Sequence, residues 1–191
     1  MENKINSTKL RIASEAAKLF AKKGYASTSM EDIMVASNAS KGSIYYHFKN
    51  KEDLFLFILE QQGIQWKETW NIKEKQFHTA TEKLIGITKH YLEDFKNPLF
   101  SVSHEFTIAN GDYEKVQGII RNQYYDVYQR IFQEGINSKE FLPESTETYM
   151  YTFLGMHIGL DTAYYDDISF EALQKLYMTA TNIFIKGIQA S

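Results

Sequence analysis

An all-α fold is predicted by three features of this 191-residue chain. Apolar residues recur at spacings of three and four along nearly its whole length, no alternating stretch is long enough for a strand, and only Pro98 and Pro143 interrupt the pattern. Hydrophobic residues make up 43% and charged residues 24%, a composition able to bury a real core. Cysteine is absent, which excludes disulfides, thiol catalysis and cysteine-bound metals and suits a reducing cytoplasm. The polar start MENKINSTKLR has no signal-peptide core, and the longest uncharged run, Thr148 to Leu160, falls well short of the roughly 20 residues that span a bilayer. A cytoplasmic location is therefore expected.

The first helix is expected to start at Ser7 or Thr8 as N-cap. It carries Ile12, Ala13, Ala16, Leu19 and Phe20 on one face, places Lys22 and Lys23 in its last turn, and stops at Gly24. In TSMEDIMVAS, Ser29 and Asp32 have capping-box spacing, and Met30, Ile33 and Met34 give a short second helix its inner face. Ser40 caps a third helix running to about Phe48, after a turn of a few residues; two short helices so joined form a helix-turn-helix. Asn50, with Asp53 three residues on, caps a long fourth helix. Further helical segments are predicted at 79–96, 99–109, 113–137, 145–165 and 169–188, separated by Pro98, Asn110-Gly111-Asp112, NSKEFLP and DDIS. About nine helices result, divided into a basic domain over 1–50 and a larger helical body over 51–191.

Charge follows the same division. Residues 1–52 hold nine Lys/Arg against five Asp/Glu, whereas the remainder is acidic. A basic end on a chain of net charge -3 suits contact with a polyanion. The third helix concentrates that chemistry. Ile44 and Phe48, four apart, point inward and turn Lys41, Tyr45, Tyr46 and His47 to the outside or edge. Gly42 permits close backbone approach, Lys41 and Ser43 can reach base edges or phosphates, and Tyr45, Tyr46, His47 and Lys51 are phosphate donors. Taken singly, the tyrosines also suit core positions and the lysines a solvated face.

With AAKLFAKKGYASTSMEDI followed by ASKGSIYYHFKNKEDL, residues 8–54 resemble the DNA-binding domain of TetR-family transcriptional regulators. The resemblance implies a homodimer that binds a palindromic operator and releases it when a small molecule enters the helical body. Position by position it assigns DNA contact to Thr28, Ser40, Lys41, Ser43, Tyr45, Tyr46, His47 and Lys51. Two reading heads need symmetry to engage half-sites about 34 Å apart. The last two helices suit the family's dimer interface, with Phe153, Met156 and Leu160 on one and Leu173, Tyr177, Ile183 and Phe184 on the other, and with Gly155 and Gly159 one turn apart as where two helices approach closely; core packing within one subunit accounts for the same pattern.

Twenty-one of the 28 aromatic residues lie after residue 60. Trp66, Trp70, Phe106, Tyr124 and Tyr128, with Glu105, suit a pocket for a flat, lipophilic or cationic ligand, although aromatic stripes at helical spacing also build cores. GSIYYHFKNKEDLFLFIL, QWKETW and YYDVYQRIFQEG are similar to the QacR-like repressors of multidrug efflux, in which tryptophan, tyrosines and glutamates bind cationic drugs; Trp66, Glu105 and Tyr124 match. Gln62, Gly63 and Arg121 stand where that branch has glutamates, which leaves a neutral ligand open. So do activation in place of repression, control of lipid or metabolite genes, and a helical ligand-binding module without DNA. No Walker, G-x-S-x-G, H-E-x-x-H or dinucleotide signature is present, so no enzyme, cofactor or metal is expected. His90 with Asp94 and His157 with Asp161 are i, i+4 pairs that suit hydrogen bonding better than metal.

Overall fold

A computed structural model describes residues 2–110, 113–166 and 168–190, side chains excepted at 2–6, 104, 107–110, 113 and 165. The order is α1 Glu2–Lys23, α2 Met30–Ser37, α3 Lys41–His47, α4 Lys51–Lys73, α5 Ala80–Glu93, α6 Pro98–Asn110, α7 Tyr113–Ile120, α8 Asp126–Asn137, α9 Thr146–Leu160 and α10 Phe170–Ile188. The expected 113–137 helix is interrupted by a π-helical turn, Arg121–Tyr125, between α7 and α8. The Gly111-Asp112 part of the predicted turn lies outside the described residues. Among the described residues, strand-like pairing is limited to an isolated bridge between Phe141 and Gln189.

Local chemistry sets most boundaries. Ser29 and Asp32 make the capping box of α2 with both bonds at 3.0 Å, each such cap contributing about 1 kcal/mol. Asn38 ends α2 in the left-handed conformation, φ 46°. Ser40 Oγ accepts from the Ser43 N–H at 3.2 Å to start α3, and Asn50 Oδ1 accepts from the Asp53 N–H at 2.8 Å to start α4. The first helix departs from expectation: it begins at Glu2, so Ser7 and Thr8 lie inside it rather than cap it.

Two compact units result, and they are not two contiguous stretches of sequence. The first comprises residues 1–65 and 95–120; the second comprises 66–94 and 121–191. These units meet inside α4, and α6 and α7 belong to the first. Ile12, Phe20, Ile33, Ile44, Phe48 and Phe55 form the core of the first unit with Leu99 and Phe106 of α6. Trp70, Leu84, Ile131, Phe132 and Phe153 are central to the core of the second.

Candidate nucleic-acid interface and aromatic cluster

In the first unit α3 presents two different faces. Ile44 and the C-cap Phe48 are buried, while Lys41, Gly42, Tyr45 and Tyr46 are exposed, Tyr46 at 71%. Ser40 is exposed at the N-cap, and Ser43 and His47 are half-buried at the edges. A Cβ on Gly42 would meet nothing within 4 Å. The chain's own packing therefore does not require glycine inside this short helix, where it is unfavourable by about 0.8–1.0 kcal/mol relative to alanine.

Two residues expected at DNA face inward. Thr28 is buried, its hydroxyl donating to the Gly24 carbonyl at 2.8 Å. The Lys51 ammonium donates to the carbonyls of Tyr25 and Thr28 at 2.8 and 2.9 Å and sits 4.3 Å from the Tyr25 ring centroid. Burial holds Lys51 below the ordinary lysine range against the opposing attraction of Glu105. Both residues hold the turn between α1 and α2, because a buried turn needs partners for its backbone groups.

The opposite side of that turn is satisfied by Glu105. Its carboxylate accepts from the N–H groups of Tyr25 and Ala26 at 3.2 and 3.0 Å. Gly24 adopts φ +81°, a conformation that favours glycine, and a Cβ there would lie 2.9 Å from the same carboxylate, which would have to shift. Phe106, also expected in a pocket, is fully buried in the first unit, 4.9 Å from Tyr25 and 4.8 Å from Phe55 between ring centroids. The six ligand candidates thus fall into two sets, with Glu105 and Phe106 bracing the helix-turn-helix unit.

The other four belong to the second unit. The Trp66 ring stacks on His90 at 4.7 Å and lies 4.6 Å from Tyr124, and Trp70 stacks on the same histidine at 5.8 Å. His90 Nε2–H donates to the Trp66 carbonyl at 3.0 Å; burial pushes the imidazole pKa down, against the opposing effect of that hydrogen bond. The indole N–H groups of Trp66 and Trp70 are buried without a hydrogen-bond acceptor among the described residues. Tyr128 is 1% exposed, and burial followed by neighbouring charge pushes both its hydroxyl and that of Tyr124 upward. One source of that charge is Asp94, whose carboxyl is raised to about 7, chiefly by burial and then by Glu93, with Lys73 opposing. Sequence spacing had suggested only a pairing with His90; a carboxylate poised near neutrality beside aromatic rings is legible only once α5 is packed.

His157 Nε2 lies 3.3 Å from the Thr181 hydroxyl, whereas Asp161 accepts from the hydroxyls of Tyr91 and Tyr177. Among the described residues no cluster of His, Cys, Asp or Glu is arranged to hold a metal ion.

The helices expected at a dimer interface need one revision. Phe153, Leu173 and Tyr177 are buried inside the second unit, so they are unable to present a face to a partner; Met156, Leu160 and Phe184 are half-buried. The outward stripe of α9 is instead Tyr151, Gly155, Ile158 and Gly159, and that of α10 includes Ile183, 66% exposed, and Gly187. Cβ atoms on Gly155, Gly159 and Gly187 would meet nothing within 4 Å. No helix among the described residues is long and apolar enough to cross a membrane.

Two family descriptions match successive stretches of the chain. Residues 12–58 match the family described as bacterial regulatory proteins, tetR family, and residues 62–190 match the QacR-like protein C-terminal region. The HTH-type transcriptional regulator QacR of Staphylococcus aureus is 36% identical over 130 residues, 65% of this chain and 69% of that protein. The fatty acid metabolism regulator protein of Bacillus subtilis is 28% identical over 134 residues, 69% of each chain. In fold, the chain superposes on a TetR-family transcriptional regulator of Pectobacterium atrosepticum with TM-score 0.83 at 17% identity, covering 100% of this chain and 98% of that one. It also superposes on the transcriptional regulator FadR of Bacillus subtilis in complex with stearoyl-CoA, with TM-score 0.78 at 21% identity, covering 94% and 99%. A helix-turn-helix with an exposed glycine- and tyrosine-bearing second helix, followed by a QacR-like helical region, places this chain in the TetR family of bacterial transcriptional regulators.

Proposed function

We propose that this protein is a ligand-responsive repressor that binds a palindromic operator as a homodimer and leaves it when an aromatic or lipophilic molecule binds in the second unit, with control of multidrug efflux as the setting. The observation that carries the DNA half is Gly42. A glycine in a helix whose side-chain position faces open space, flanked by exposed Lys41, Tyr45 and Tyr46, is explained by a surface that must approach the backbone there. Ser40, Ser43 and His47 edge the same face, and Thr28 and Lys51 position it.

The ligand half rests on Trp66, Trp70, Tyr124 and Tyr128. Their rings provide stacking surface, the two unpartnered indole N–H groups call for an acceptor, and Asp94 offers at most one negative charge. Glu105 is occupied by backbone N–H groups, and Gln62, Gly63 and Arg121 are not acidic. A singly charged or neutral lipophilic inducer fits this set better than a dication. Ligand binding can shift the protein only by preferring the conformation that does not bind DNA.

Fluorescence anisotropy on duplexes from the DNA flanking the protein's own gene, with and without a cationic aromatic dye, tests both halves. The wild type should bind and be released by dye. Gly42→Ala should bind at least tenfold more weakly while its unfolding temperature is unchanged or higher. Trp66→Ala should keep DNA affinity and lose the dye response. Equal loss of both activities in Trp66→Ala would remove the pocket assignment, and wild-type binding indifferent to dye would leave a repressor with a neutral inducer.

The dimer is assigned to the stripe of Tyr151, Gly155, Ile158 and Gly159 on α9 together with Ile183 and Gly187 on α10, where bare helix surface lets a second copy approach closely. Ile183→Asp should convert the protein to monomers in sedimentation equilibrium and weaken operator binding by two orders of magnitude or more. An unchanged dimer would move the interface elsewhere.

A further inference from the structure

We propose that Lys9 of α1 and His47 at the end of α3 form an anchor for a DNA phosphodiester, beside the face of α3 that meets the bases, and that the anchor takes up a proton when it engages. The inference rests on the DNA-binding reading above and adds a contact from outside the helix-turn-helix, with a pH dependence of its own.

Its geometry centres on Phe48. The Lys9 ammonium lies 5.4 Å from the Phe48 ring centroid and 4.0 Å from that of Phe57. The His47 ring lies 6.4 Å from the same Phe48 ring and 5.0 Å from Tyr46, edge to face, on the exposed end of α3. Contact with the aromatic faces explains the course of the lysine stem. It does not explain the lack of a counter-charge. Among the described residues no carboxylate pairs with Lys9, as is also true of Lys41 and Lys49 on the same basic end; what sets Lys9 apart is that its charge acts on His47.

Electrostatics agree with this arrangement. His47 is held below the ordinary histidine value first by burial and then by the charge of Lys9, the charged group that acts on it among the described residues; its ring neighbours Tyr46 and Phe48 carry no charge. Two basic groups side by side without an anion repel each other once both are charged. A phosphodiester oxygen supplies that anion, accepting from the ammonium and the imidazolium and favouring the protonated histidine. The sign follows: the free protein has a His47 pKa below 6.5, the complex a higher one. Between the two values the complex carries a proton that free protein lacks, so affinity rises as pH falls through that window and is flat above it.

The test uses a random-sequence duplex, because phosphate contacts do not depend on sequence. The slope of log K against log salt is measured at about pH 6 and about pH 8, which bracket the ordinary histidine range. For the wild type the slope should be steeper at the lower pH by up to about 0.9, one phosphate's worth. Lys9→Met, which keeps an apolar stem over Phe57, should lose about 0.9 from the slope at both pH values. Lys9→Arg should retain it, and His47→Gln should abolish the difference between the two pH values, with unfolding temperatures monitored throughout. A wild-type slope in Lys9→Met, or an undiminished pH difference in His47→Gln, overturns the anchor while salt-dependent binding shows that the protein still engages DNA. Absence of any salt-dependent binding by the wild type overturns the DNA reading itself, and the anchor with it.

Discussion

Asp94→Asn is expected to stabilise the protein by roughly 2–4 kcal/mol at pH 8 and to change almost nothing near pH 4. The reason is the displacement of the Asp94 carboxyl from an ordinary 3.8 to about 7, driven first by burial and then by Glu93. A raised carboxyl favours the folded protein only while protonated. Below about pH 4 the folded and unfolded chains both carry the proton, and the residue is neutral towards stability. Between pH 4 and 7 the unfolded chain releases it and the folded one does not, so stability falls with a slope set by that one proton; above 7 the whole penalty is present. Asparagine has nearly the same shape and never ionises. For a chain of this length the gain corresponds to a rise in melting temperature of about 4–15 °C at pH 8, readable in thermal scans across the pH range. A destabilising carboxylate whose charge reaches Tyr124 and Tyr128 is the pattern of a group kept for binding rather than for folding. The same variant should therefore keep DNA affinity and lose its response to a cationic dye. Equal stability of the two proteins at pH 8 would show that Asp94 ionises freely, and the single-charge argument for the inducer would fall with it.

Much of the first unit was legible in the sequence because its boundaries are set locally. Ser29 with Asp32, Ser40 with Ser43, and Asn50 with Asp53 are hydrogen-bonded across three residues, as their spacing predicted, and Ile44 and Phe48 are buried at the helical interval that placed them inside. The start of α1 was not legible, since Ser7 and Thr8 are acceptable inside a helix as well as at its cap. Long-range decisions were equally hidden. Nothing near Lys51 announces that its ammonium will hold carbonyls 23 and 26 residues earlier, and nothing near Glu105 announces partners 79 and 80 residues away. The inward and outward faces of α9 and α10 were separated only in part, because both are apolar: Ile183 and the Gly155–Gly159 pair were placed outward, but so were Phe153 and Tyr177, which packing buries. The resemblance to drug-binding relatives assigned Trp66 and Glu105 to one site because it compares positions, and it gives no sign of the backbone N–H groups of Tyr25 and Ala26 that Glu105 holds.

Glu105→Ala separates those two assignments. Two N–H groups of the α1–α2 turn, on Tyr25 and Ala26, would lose a charged acceptor, and that of Tyr25 belongs to a buried residue. Hydrogen bonds to a charged group are worth about 1.5–3 kcal/mol each, and exposure of the Ala26 bond reduces its share, so a total loss of about 2–3 kcal/mol is expected. In a chain of this size that lowers the melting temperature by about 4–12 °C. Lys51 would still hold the carbonyls of Tyr25 and Thr28, so the turn should loosen on one side rather than unfold, and α2 would lose the fixed base from which it and α3 are presented. DNA affinity should fall about tenfold, the equivalent of 1.4 kcal/mol of that loss appearing in binding. Dye binding, followed by the fluorescence of Trp66 and Trp70, both in the second unit, should not change. Glu105→Gln, which keeps one acceptor oxygen without the charge, should recover part of the stability and part of the DNA affinity. If Glu105 were the counter-charge of the inducer, the pattern would reverse, with Ala and Gln equally poor in dye binding and the melting temperature unmoved. The two N–H groups at 3.0 and 3.2 Å favour the first outcome, because a carboxylate already holding two backbone donors has little to gain from leaving them.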